Sequence, residues 1–383
     1  FYYDASPAHA PSERDRKKMI DVPERVSVAF GLLVDEGVLD RCRLCKARSA
    51  TDEELLRAHR PEHLAQVGER SSQRRAANGN VYYSPDADRS ARMACGAVVD
   101  ATLRALQGGP SRAFALVRPP GHHAGRDGFA GDFAEGGCFY NSVAVAAACA
   151  RAAGVSRVAI IDWDVHHGNG TQEIFYADAS VLFVSIHADL YPGTGAIGET
   201  GEADTPARGR NVNLMWPDPL RHPPASDAEY LAAVELLVLP ILRAFAPGLL
   251  LVSSGFDAAR GEAFRVGLEP QTFGRMMAAL ISGIPPAVPV IAALEGGYNP
   301  TSVAACSSAV LRALLGDPVP AAPATCLKVR CEKALLHAVG VHQRAWAPHL
   351  CEAFVAEQLA KLRRCVAENE SDVLGHERKR RKL

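Results

Sequence analysis

The chain has 383 residues, of which 48% are hydrophobic and 22% are charged, and its formal net charge is −1. This length predicts one large domain or two modest ones, each with a buried core. The balanced charge gives no reason to expect direct nucleic-acid binding. No apolar run reaches the ~18 residues of a membrane span, and the start at Phe1 lacks the sections of a signal peptide, so we expect an intracellular protein without membrane association.

Ten cysteines are spread thinly along the chain. This distribution is typical of reduced thiols rather than of the disulfide framework of a small secreted domain. Cys42 and Cys45 form a C-x-x-C pair, but no second pair has the spacing of a four-ligand zinc site. A thioredoxin-like redox motif would occupy a different strand and helix context. We therefore interpret both residues as ordinary thiols.

Short apolar runs that end in polar or Gly-containing turns recur along the chain and predict buried parallel strands. These runs are 113–117, 158–164, 181–187, 249–257 and 288–298. Stretches with helical spacing lie among them, at 90–107, 142–153, 227–245 and 270–282. The alternation predicts an α/β fold with helical crossover connections.

Side chains with chemical functions lie at the ends of four of these runs. They are His122 and His123, Asp164 and His166, Asp257, and the segment 295–298. In open α/β sheets, ligands bind beyond the carboxyl ends of the strands, where the connecting loops meet. We therefore expect these four strand ends to form a single site.

The character of the sequence changes after about Pro320. An Ala/Pro-rich linker precedes an amphipathic stretch with Leu350, Phe354, Leu359 and Leu362 near helical spacing, which predicts an appended helix. The basic cluster 378–382 has three possible interpretations: a nuclear import signal, a segment that contacts a polyanion, or a solvated chain end. We divide the chain into a catalytic domain, 1–318, and a segment of linker, helix and basic tail, 319–383.

The segment 161–170, IDWDVHHGNG, predicts a metal site where a strand runs into a loop. Period-two alternation places Asp162, Asp164 and His166 on one side, and Asp257 from another strand end would complete the ligand set. A lone Asp-x-His is more often a strand-end turn. Carboxylates and imidazole with an open position favour a catalytic zinc site, although iron or another divalent ion also fits such ligands.

Two adjacent imidazoles, His122 and His123, follow the proline turn of the segment 118–124, RPPGHHA. Two neighbouring histidines are costly in an apolar core. Both titrate near neutrality, and each changes the pKa of the other, so the pair suits proton transfer beside a metal.

Five motifs carry a resemblance to a known family. They are RPPGHHA at 118–124, CFYNSVAVA at 138–146, IDWDVHHGNGTQ at 161–172, SGFDAARG at 254–261 and EGGYN at 295–299. In this order they resemble a histone deacetylase of the class II type, and the similarity extends from about residue 3 to residue 318. The resemblance implies the arginase/deacetylase fold, a single α/β domain whose central, mainly parallel eight-stranded sheet is flanked by helices.

The resemblance also implies the roles of individual residues. Asp164, His166 and Asp257 would bind zinc. His123 would act as general base and then protonate the leaving lysine amine, while His122 remains an electrostatic partner.

Three further residues would support this chemistry. By the same resemblance, Asp162 orients His122 and Asn169 orients His123, and Tyr298 donates its hydroxyl to the developing oxyanion. Some class II members with weak activity on acetyl-lysine carry His at the position of Tyr298, so we expect activity. Asn169 stands where class I members carry Asp. The family also binds potassium near the zinc site, here implied for Asp162, Asp164 and Ser185.

The acyl-lysine channel departs from the family pattern. Tyr191 matches one of two aromatic residues that enclose the lysine stem, but Gly137 stands where the second is expected. Either Phe129 or Phe133 fills this gap, or the channel is wider and accepts larger acyl groups. Gly296 is assigned to the channel as well.

The gate of the channel is also altered. Phe264 stands where the family has an aliphatic residue, and Glu262 is one step from the gate in the likeliest alignment. An acidic gate would favour a cationic polyamine, so the alignment favours a lysine substrate.

The function that we predict is zinc-dependent hydrolysis of N6-acetyl-lysine in histones or other proteins, in the nucleus or cytoplasm, with corepressor proteins as further partners. An acetylpolyamine amidohydrolase would use the same chemistry on a small molecule, and an arginase-like hydrolase would need a second metal and more ligands. A weakly active scaffold that binds acetyl-lysine is the alternative outside enzymes. It would be favoured by loss of a zinc ligand or of Tyr298, and none is lost.

Overall fold

A parallel sheet of eight strands organises the part of the chain that the computed structural model describes, which is residues 1–3, 10, 21–72, 82–127, 135–321, 327–347, 349–350, 355–357 and 360. The strands are β1 Tyr2–Tyr3, β2 Cys45–Lys46, β3 Arg112–Leu116, β4 Val158–Asp162, β5 Val181–Ala188, β6 Asn211–Trp216, β7 Leu249–Ser254 and β8 Val290–Leu294. Their order is β2-β1-β3-β8-β7-β4-β5-β6, and every pair is parallel. The eight-stranded sheet is confirmed, and it is wholly rather than mainly parallel.

The central strands are buried on both faces, which explains their continuous apolar sequences. Successive side chains face opposite sides of the sheet. Ile161 and Val252 belong to one hydrophobic cluster, while their neighbours Ile160 and Leu251 belong to the other. The sheet therefore separates two cores, each covered by helices.

The helices that cover the sheet follow the strands in chain order. They are α1 Glu24–Asp35, α2 Asp52–Leu55, α3 Pro61–Ser72, α4 Ala87–Leu106, α5 Ser142–Ala152, α6 Asn169–Phe175, α7 Asp227–Ala233, α8 Leu239–Phe245, α9 Pro270–Ser282, α10 Pro300–Leu314 and α11 Val329–Trp346. Pro270 and Pro300 begin α9 and α10, where their missing N–H groups cost nothing. Asn299 caps α10 by accepting hydrogen bonds from the N–H groups of Thr301 and Ser302.

The predicted helix 227–245 is interrupted by a π-helical turn, Val234–Val238, between α7 and α8. Pro240 lies at the beginning of α8. Proline lacks an N–H group and its ring clashes with the carbonyl four residues earlier, so the wider turn accommodates it. The hydrophobic spacing gave no sign of this interruption, since both helices and the turn bury the same face.

Helix α11, Val329–Trp346, precedes the predicted appended helix and was not itself predicted from the sequence. It packs into the main core through Leu335, Val339 and Trp346, and the indole N–H of Trp346 donates to the carbonyl of Gly209 at 2.9 Å. Leu350 is also buried in this core, while Phe354, Leu359, Leu362 and the basic cluster 378–382 lie outside the described residues. The division at 318/319 remains a prediction.

Two other expectations concern thiols and membranes. Cys42 and Cys45 are half-buried free thiols. Among the described residues, no helix is both long and apolar enough to span a bilayer.

Candidate active site

Four neighbouring strands, β3, β8, β7 and β4, bring their carboxyl ends together at one edge of the sheet. Loops after these strands carry the side chains that the sequence assigned to zinc binding and the histidine pair assigned to proton transfer. Because parallel strands all point the same way, residues far apart in sequence meet there. The structure thus brings together His122, His123, Asp164, His166 and Asp257.

Asp164, His166 and Asp257 form the core of the site. One potential ligand atom from each residue lies within 4.8 Å of the others, and all three residues are buried. The His166 Nδ1 atom is 3.1 Å from Asp164 Oδ1 and 2.9 Å from Asp257 Oδ2. Two carboxylates and one imidazole around one point are ligands that a divalent cation accepts.

The electrostatics of this cluster fit a bound cation. Burial, and then the charge of Asp164, raise the pKa of Asp257 to about 7. The buried Asp257 Oδ2 atom accepts no hydrogen bond of good geometry within the described part of the chain. A cation would neutralise both carboxylates and satisfy this oxygen, so the three residues fit a metal ion.

His122 lies between two carboxylates. Its Nδ1 atom donates to Asp162 Oδ2 at 2.9 Å, and its Nε2 atom is 3.8 Å from Asp164 Oδ1. Burial favours the neutral ring, but the charges of Asp164 and Asp162 outweigh it and raise the pKa of His122 well above its usual value. His122 is therefore held in a cationic state next to His123.

The surroundings of His123 favour the neutral ring, in contrast to those of His122. Burial, then the neighbouring rings of His122 and His166, lower the pKa of His123 well below its usual value. Its ring centre is 4.1 Å from that of His122, and its Nδ1 atom lies 2.7 Å from Asn169 Oδ1. Since an amide oxygen only accepts, Nδ1 carries the proton, and Nε2 is left as a free base.

Tyr298 lies near the two carboxylates of the cluster. Burial, followed by the charges of Asp257 and Asp164, raises the pKa of Tyr298 well above its usual value, so the hydroxyl remains protonated. The guanidinium of Arg25 stacks over the Tyr298 ring, 4.9 Å from its centre. Arg25 is fully buried and donates to the carbonyl groups of Glu295 and Gly297.

Arg25 and Glu295 are functional residues that the sequence analysis did not single out for a role. The Glu295 carboxylate accepts from the N–H groups of Gly121 and His122, at 2.7 Å and 3.1 Å. Burial raises the pKa of Glu295 to about 7. Glu295 fixes the backbone that carries the histidine pair, and Arg25 fixes the turn that carries Tyr298. Their positions in the motif EGGYN and in α1 gave no sign of these partners.

Another buried histidine, His167, connects the loop after β4 to the loop that carries Tyr191. Its Nδ1 atom accepts from the Thr194 hydroxyl at 2.8 Å, and its Nε2 atom donates to Gln172 Oε1 at 3.0 Å. Burial lowers the pKa of His167 to about 4, so the ring is neutral. Because Thr194 follows Tyr191 in the same loop, this contact holds the loop that carries Tyr191.

Tyr191 and Phe264, which the sequence analysis assigned to the substrate channel, both lie against histidines of the cluster. The Tyr191 ring lies 5.4 Å from His123 and 6.3 Å from His166, and the Phe264 ring meets His166 edge-on at 4.6 Å. Gly137 ends a short 3-10 turn, Glu135–Gly137, against the histidine pair. A Cβ atom at the preceding residue, Gly136, would collide with the His123 ring. Phe129 and Phe133 lie outside the described residues.

Gly296 and Asp162, one of the predicted potassium ligands, both form hydrogen bonds with Asp164. The N–H group of Gly296 donates to Asp164 Oδ2 at 2.8 Å, and a Cβ atom there would collide with the carboxylates of Asp164 and Asp257. Gly296 therefore contacts the metal cluster. Asp162 and Ser185 are register partners in β4 and β5, and Asp162 Oδ1 accepts from the N–H group of Asp164 at 3.1 Å.

Comparison with known proteins shows which family has this sequence and fold. Residues 19–314 match the histone deacetylase domain, which is well over half of the chain. The chain belongs to the histone deacetylase family. The similarity to class II histone deacetylases and to the arginase/deacetylase fold is thereby confirmed.

Relatives of this histone deacetylase domain come from plants, animals and fungi. Histone deacetylase 15 of Arabidopsis thaliana is 39% identical over 305 residues, which cover 77% of this chain and 52% of the relative. Histone deacetylase 7 of Homo sapiens is 35% identical over 344 residues, 81% of this chain and 35% of the relative. Histone deacetylase HDA1 of Saccharomyces cerevisiae is 35% identical over 325 residues, 77% of this chain and 44% of the relative.

A solved structure is similar over almost the whole domain. The crystal structure of the HDA15 HD domain has a TM-score of 0.84 and 35% sequence identity, and the match covers 94% of this chain and 97% of that chain. The chain spans about half, or less, of the length of the three relatives. The similarity therefore concerns the deacetylase domain of these longer proteins.

Proposed function

We propose that this histone deacetylase domain is a zinc-dependent hydrolase that removes the acetyl group from N6-acetyl-lysine in histones or other proteins. The observation that carries the proposal is the buried cluster of Asp164, His166 and Asp257 beside a neutral His123. A divalent cation next to a positioned base is the arrangement that amide hydrolysis by water requires.

We assign Asp164, His166 and Asp257 as the zinc ligands. Two carboxylates and one imidazole leave coordination positions open, which is typical of catalytic rather than structural zinc. When bound, zinc would act as a Lewis acid that lowers the pKa of water and polarises the acetyl carbonyl. Potassium at Asp162, Asp164 and Ser185 is a second proposed cation, supported by the adjacency of β4 and β5.

We assign the proton transfers to His123. Asn169 holds the proton on His123 Nδ1, so Nε2 accepts a proton from the attacking water and then delivers it to the lysine amine. Cationic His122, held by Asp162, favours the developing negative charge and keeps His123 neutral beforehand. Tyr298 donates its hydroxyl hydrogen to the oxyanion.

The substrate assignment rests on the channel and on its gate. Tyr191 and Phe264 supply aromatic walls for the aliphatic stem of a lysine side chain. An acetylpolyamine substrate would need an acidic gate. The Glu262 carboxylate is occupied by the backbone N–H groups of Tyr298 and Asn299, so it does not face a cationic ligand.

Hydrolysis of paired peptides tests the proposal. Zinc-loaded protein is given acetyl-lysine peptide, trifluoroacetyl-lysine peptide and acetylspermidine, with His123→Ala as the control variant. We expect turnover of the acetyl-lysine peptide that is lost in the variant. Cleavage of acetylspermidine alone would contradict the substrate assignment, and absence of any turnover would favour a binding scaffold.

We further propose that the domain acts in the nucleus or cytoplasm, on acetylated histones or other proteins and with corepressor partners. The support is the family membership, since relatives in this family are named histone deacetylases.

A further inference from the structure

The peptide bond between Gly297 and Tyr298 is held on both sides by charged side chains, the buried Arg25 and the half-buried Glu262. On one side, the Arg25 guanidinium donates to the carbonyl group of Gly297. On the other, the N–H group of Tyr298 donates to both carboxylate oxygens of Glu262, each at 3.0 Å. A peptide whose donor and acceptor are both bound cannot rotate without breaking two charge-assisted hydrogen bonds.

Glu262 also binds the next residue along the chain. Its Oε1 atom accepts from the N–H group of Asn299 at 2.9 Å, and the Asn299 side chain donates to the carbonyl group of Gly261 at 3.0 Å. The Ser302 hydroxyl donates to the carbonyl group of Arg260 at 2.7 Å. The loop around Glu262 is therefore tied to the beginning of α10 at several points, which makes it a rigid support.

Backbone conformation explains why such a support is needed. Gly297 has a φ of +102°, and glycine moves between backbone conformations more readily than any other residue. Tyr298 follows directly, so rotation of the peptide between them would redirect the Tyr298 side chain. The Phe264 ring, 6.5 Å from the Tyr298 ring, does not hold the backbone.

We propose that Glu262 is a positioning residue that fixes the direction of Tyr298 through the Gly297–Tyr298 peptide. This inference rests on the proposed function, in which the Tyr298 hydroxyl donates to the oxyanion. Within the described part of the chain, the hydrogen bonds of Glu262 go to the backbone of Tyr298 and Asn299 and not to a proposed zinc ligand, so its main effect falls on the step that Tyr298 assists. It would therefore change kcat rather than KM or zinc affinity.

Two variants and one matched control test this role. Glu262→Gln keeps the size of the side chain but places an NH2 group against a backbone N–H group. Glu262→Asp keeps the charge but shortens the side chain. Glu269→Gln is the control, because Glu269 is a carboxylate of the same segment that pairs with Arg260 and does not contact Tyr298.

The first readout compares two substrates. Trifluoroacetyl-lysine needs less oxyanion stabilisation than acetyl-lysine because fluorine withdraws electrons, so it depends less on Tyr298. We expect Glu262→Gln to lower kcat on the acetyl-lysine peptide by about 10- to 100-fold, the range for partners that orient a functional group. On the trifluoroacetyl-lysine peptide we expect a clearly smaller loss, and in Glu262→Asp a partial loss with the same selectivity.

The second readout is a double variant. If Glu262 acts through the Tyr298 hydroxyl, Tyr298→Phe combined with Glu262→Gln is no slower on acetyl-lysine than Tyr298→Phe alone. Additive losses, equal losses on the two substrates, or an increase in KM alone would overturn the proposal.

The third readout does not depend on activity. Amide hydrogen exchange in the segment 296–299 should be faster in Glu262→Gln than in the wild type or in Glu269→Gln, because the N–H group of Tyr298 loses one of its two acceptor oxygens and the remaining amide oxygen is a weaker acceptor than a carboxylate. Unchanged exchange there would refute the positioning role. If wild-type protein cleaves neither peptide, the proposed function fails, and the exchange measurement alone decides whether Glu262 holds the Tyr298 backbone.

Discussion

The hydrogen bond between His123 and Asn169 determines which nitrogen of the imidazole is free to act as a base. Asn169 Oδ1 lies 2.7 Å from His123 Nδ1 and only accepts hydrogen bonds. Asn169 is also the first residue of α6, so its position is set by a helix rather than by a mobile loop.

Replacement of Asn169 by Ala should therefore impair catalysis more than binding. We expect kcat on the acetyl-lysine peptide to fall by about 10- to 100-fold, as for other partners that fix a histidine tautomer, while KM stays close to wild type. Steady-state kinetics measure both constants. A change in KM without a change in kcat would contradict this role.

Asn169→Asp is the informative companion variant. A carboxylate also accepts from Nδ1, but its charge favours the protonated ring and raises the pKa of His123. Because catalysis needs the neutral ring, the acidic limb of the kcat–pH profile should move to higher pH. An unchanged profile would show that His123 is not the group that titrates in this limb.

The sequence predicted which side chains come together where a motif carries them, but it did not predict contacts between residues that are distant in sequence. The sequence predicted the cluster of Asp164, His166 and Asp257, because strand-end positions and residue types suffice for it. It could not predict that Arg25 binds the carbonyl group of Gly297, 272 positions away. Such contacts depend on how helices pack on the sheet.

At the scale of elements, α11 is an integral part of the core. Trp346 is 5% exposed, its indole donates to Gly209, and the Arg210 guanidinium stacks on it, 4.6 Å from the ring centre. We expect Trp346→Ala to lower the free energy of unfolding by about 3–5 kcal/mol, through lost burial and a new cavity. Val329 on the same helix is 68% exposed, so Val329→Ala should change the free energy of unfolding by less than about 0.5 kcal/mol. Chemical denaturation measures both, and equal effects would contradict the docked position of α11.

A buried histidine between elements should make the fold sensitive to acid. His59 Nδ1 donates to the Gly125 carbonyl at 2.8 Å, and its Nε2 accepts from the N–H group of Asn141 at 2.9 Å, so only the neutral ring fits. Burial lowers the pKa of His59 to about 3, from 6.5 in an unfolded chain. Its stabilising contribution is therefore complete above pH 6.5 and is lost as the pH falls toward 3, by up to about 1.4 kcal/mol per pH unit.

His59→Gln tests this contribution, since an amide also offers a donor and an acceptor. We expect the variant to lose less stability than the wild type between pH 6.5 and pH 4, measured by denaturation at each pH. His337, exposed on α11, supplies the control His337→Gln, which should follow the wild-type slope. If the free energy of unfolding falls with pH at the same rate in all three proteins, His59 is not held neutral in the folded state.

The elements that the sequence predicted are those with a strong apolar pattern. The five central strands and helix α9 were predicted with small errors at their ends. Strands β1 and β2 have two residues each, too few for any periodic pattern. Strand β6 was missed because Asn211 and Asn213 interrupt its apolar run, and both donate to Gln172 in the polar network around His167.

For the whole molecule, metal binding should be coupled to stability. The cluster joins β4 and β7 through two buried carboxylates, whose mutual repulsion a cation relieves. A ligand that binds only the folded state stabilises it by about 2.7 kcal/mol at 100 times its dissociation constant. We expect the melting temperature of metal-free protein to rise with added zinc, and Asp257→Asn to abolish the rise. A zinc-dependent shift that persists in Asp257→Asn would place the metal elsewhere.

The position of β8 ties the closure of the sheet to the order in which the chain is synthesised. This strand, Val290–Leu294, lies between β3 and β7 and joins the two halves of the sheet. Until it leaves the ribosome, both halves have an open edge, and Asp257 and His122 belong to separate halves. The histidine pair and the metal cluster can therefore meet only after Leu294 at the end of β8 has been made, so a nascent chain stays inactive until then.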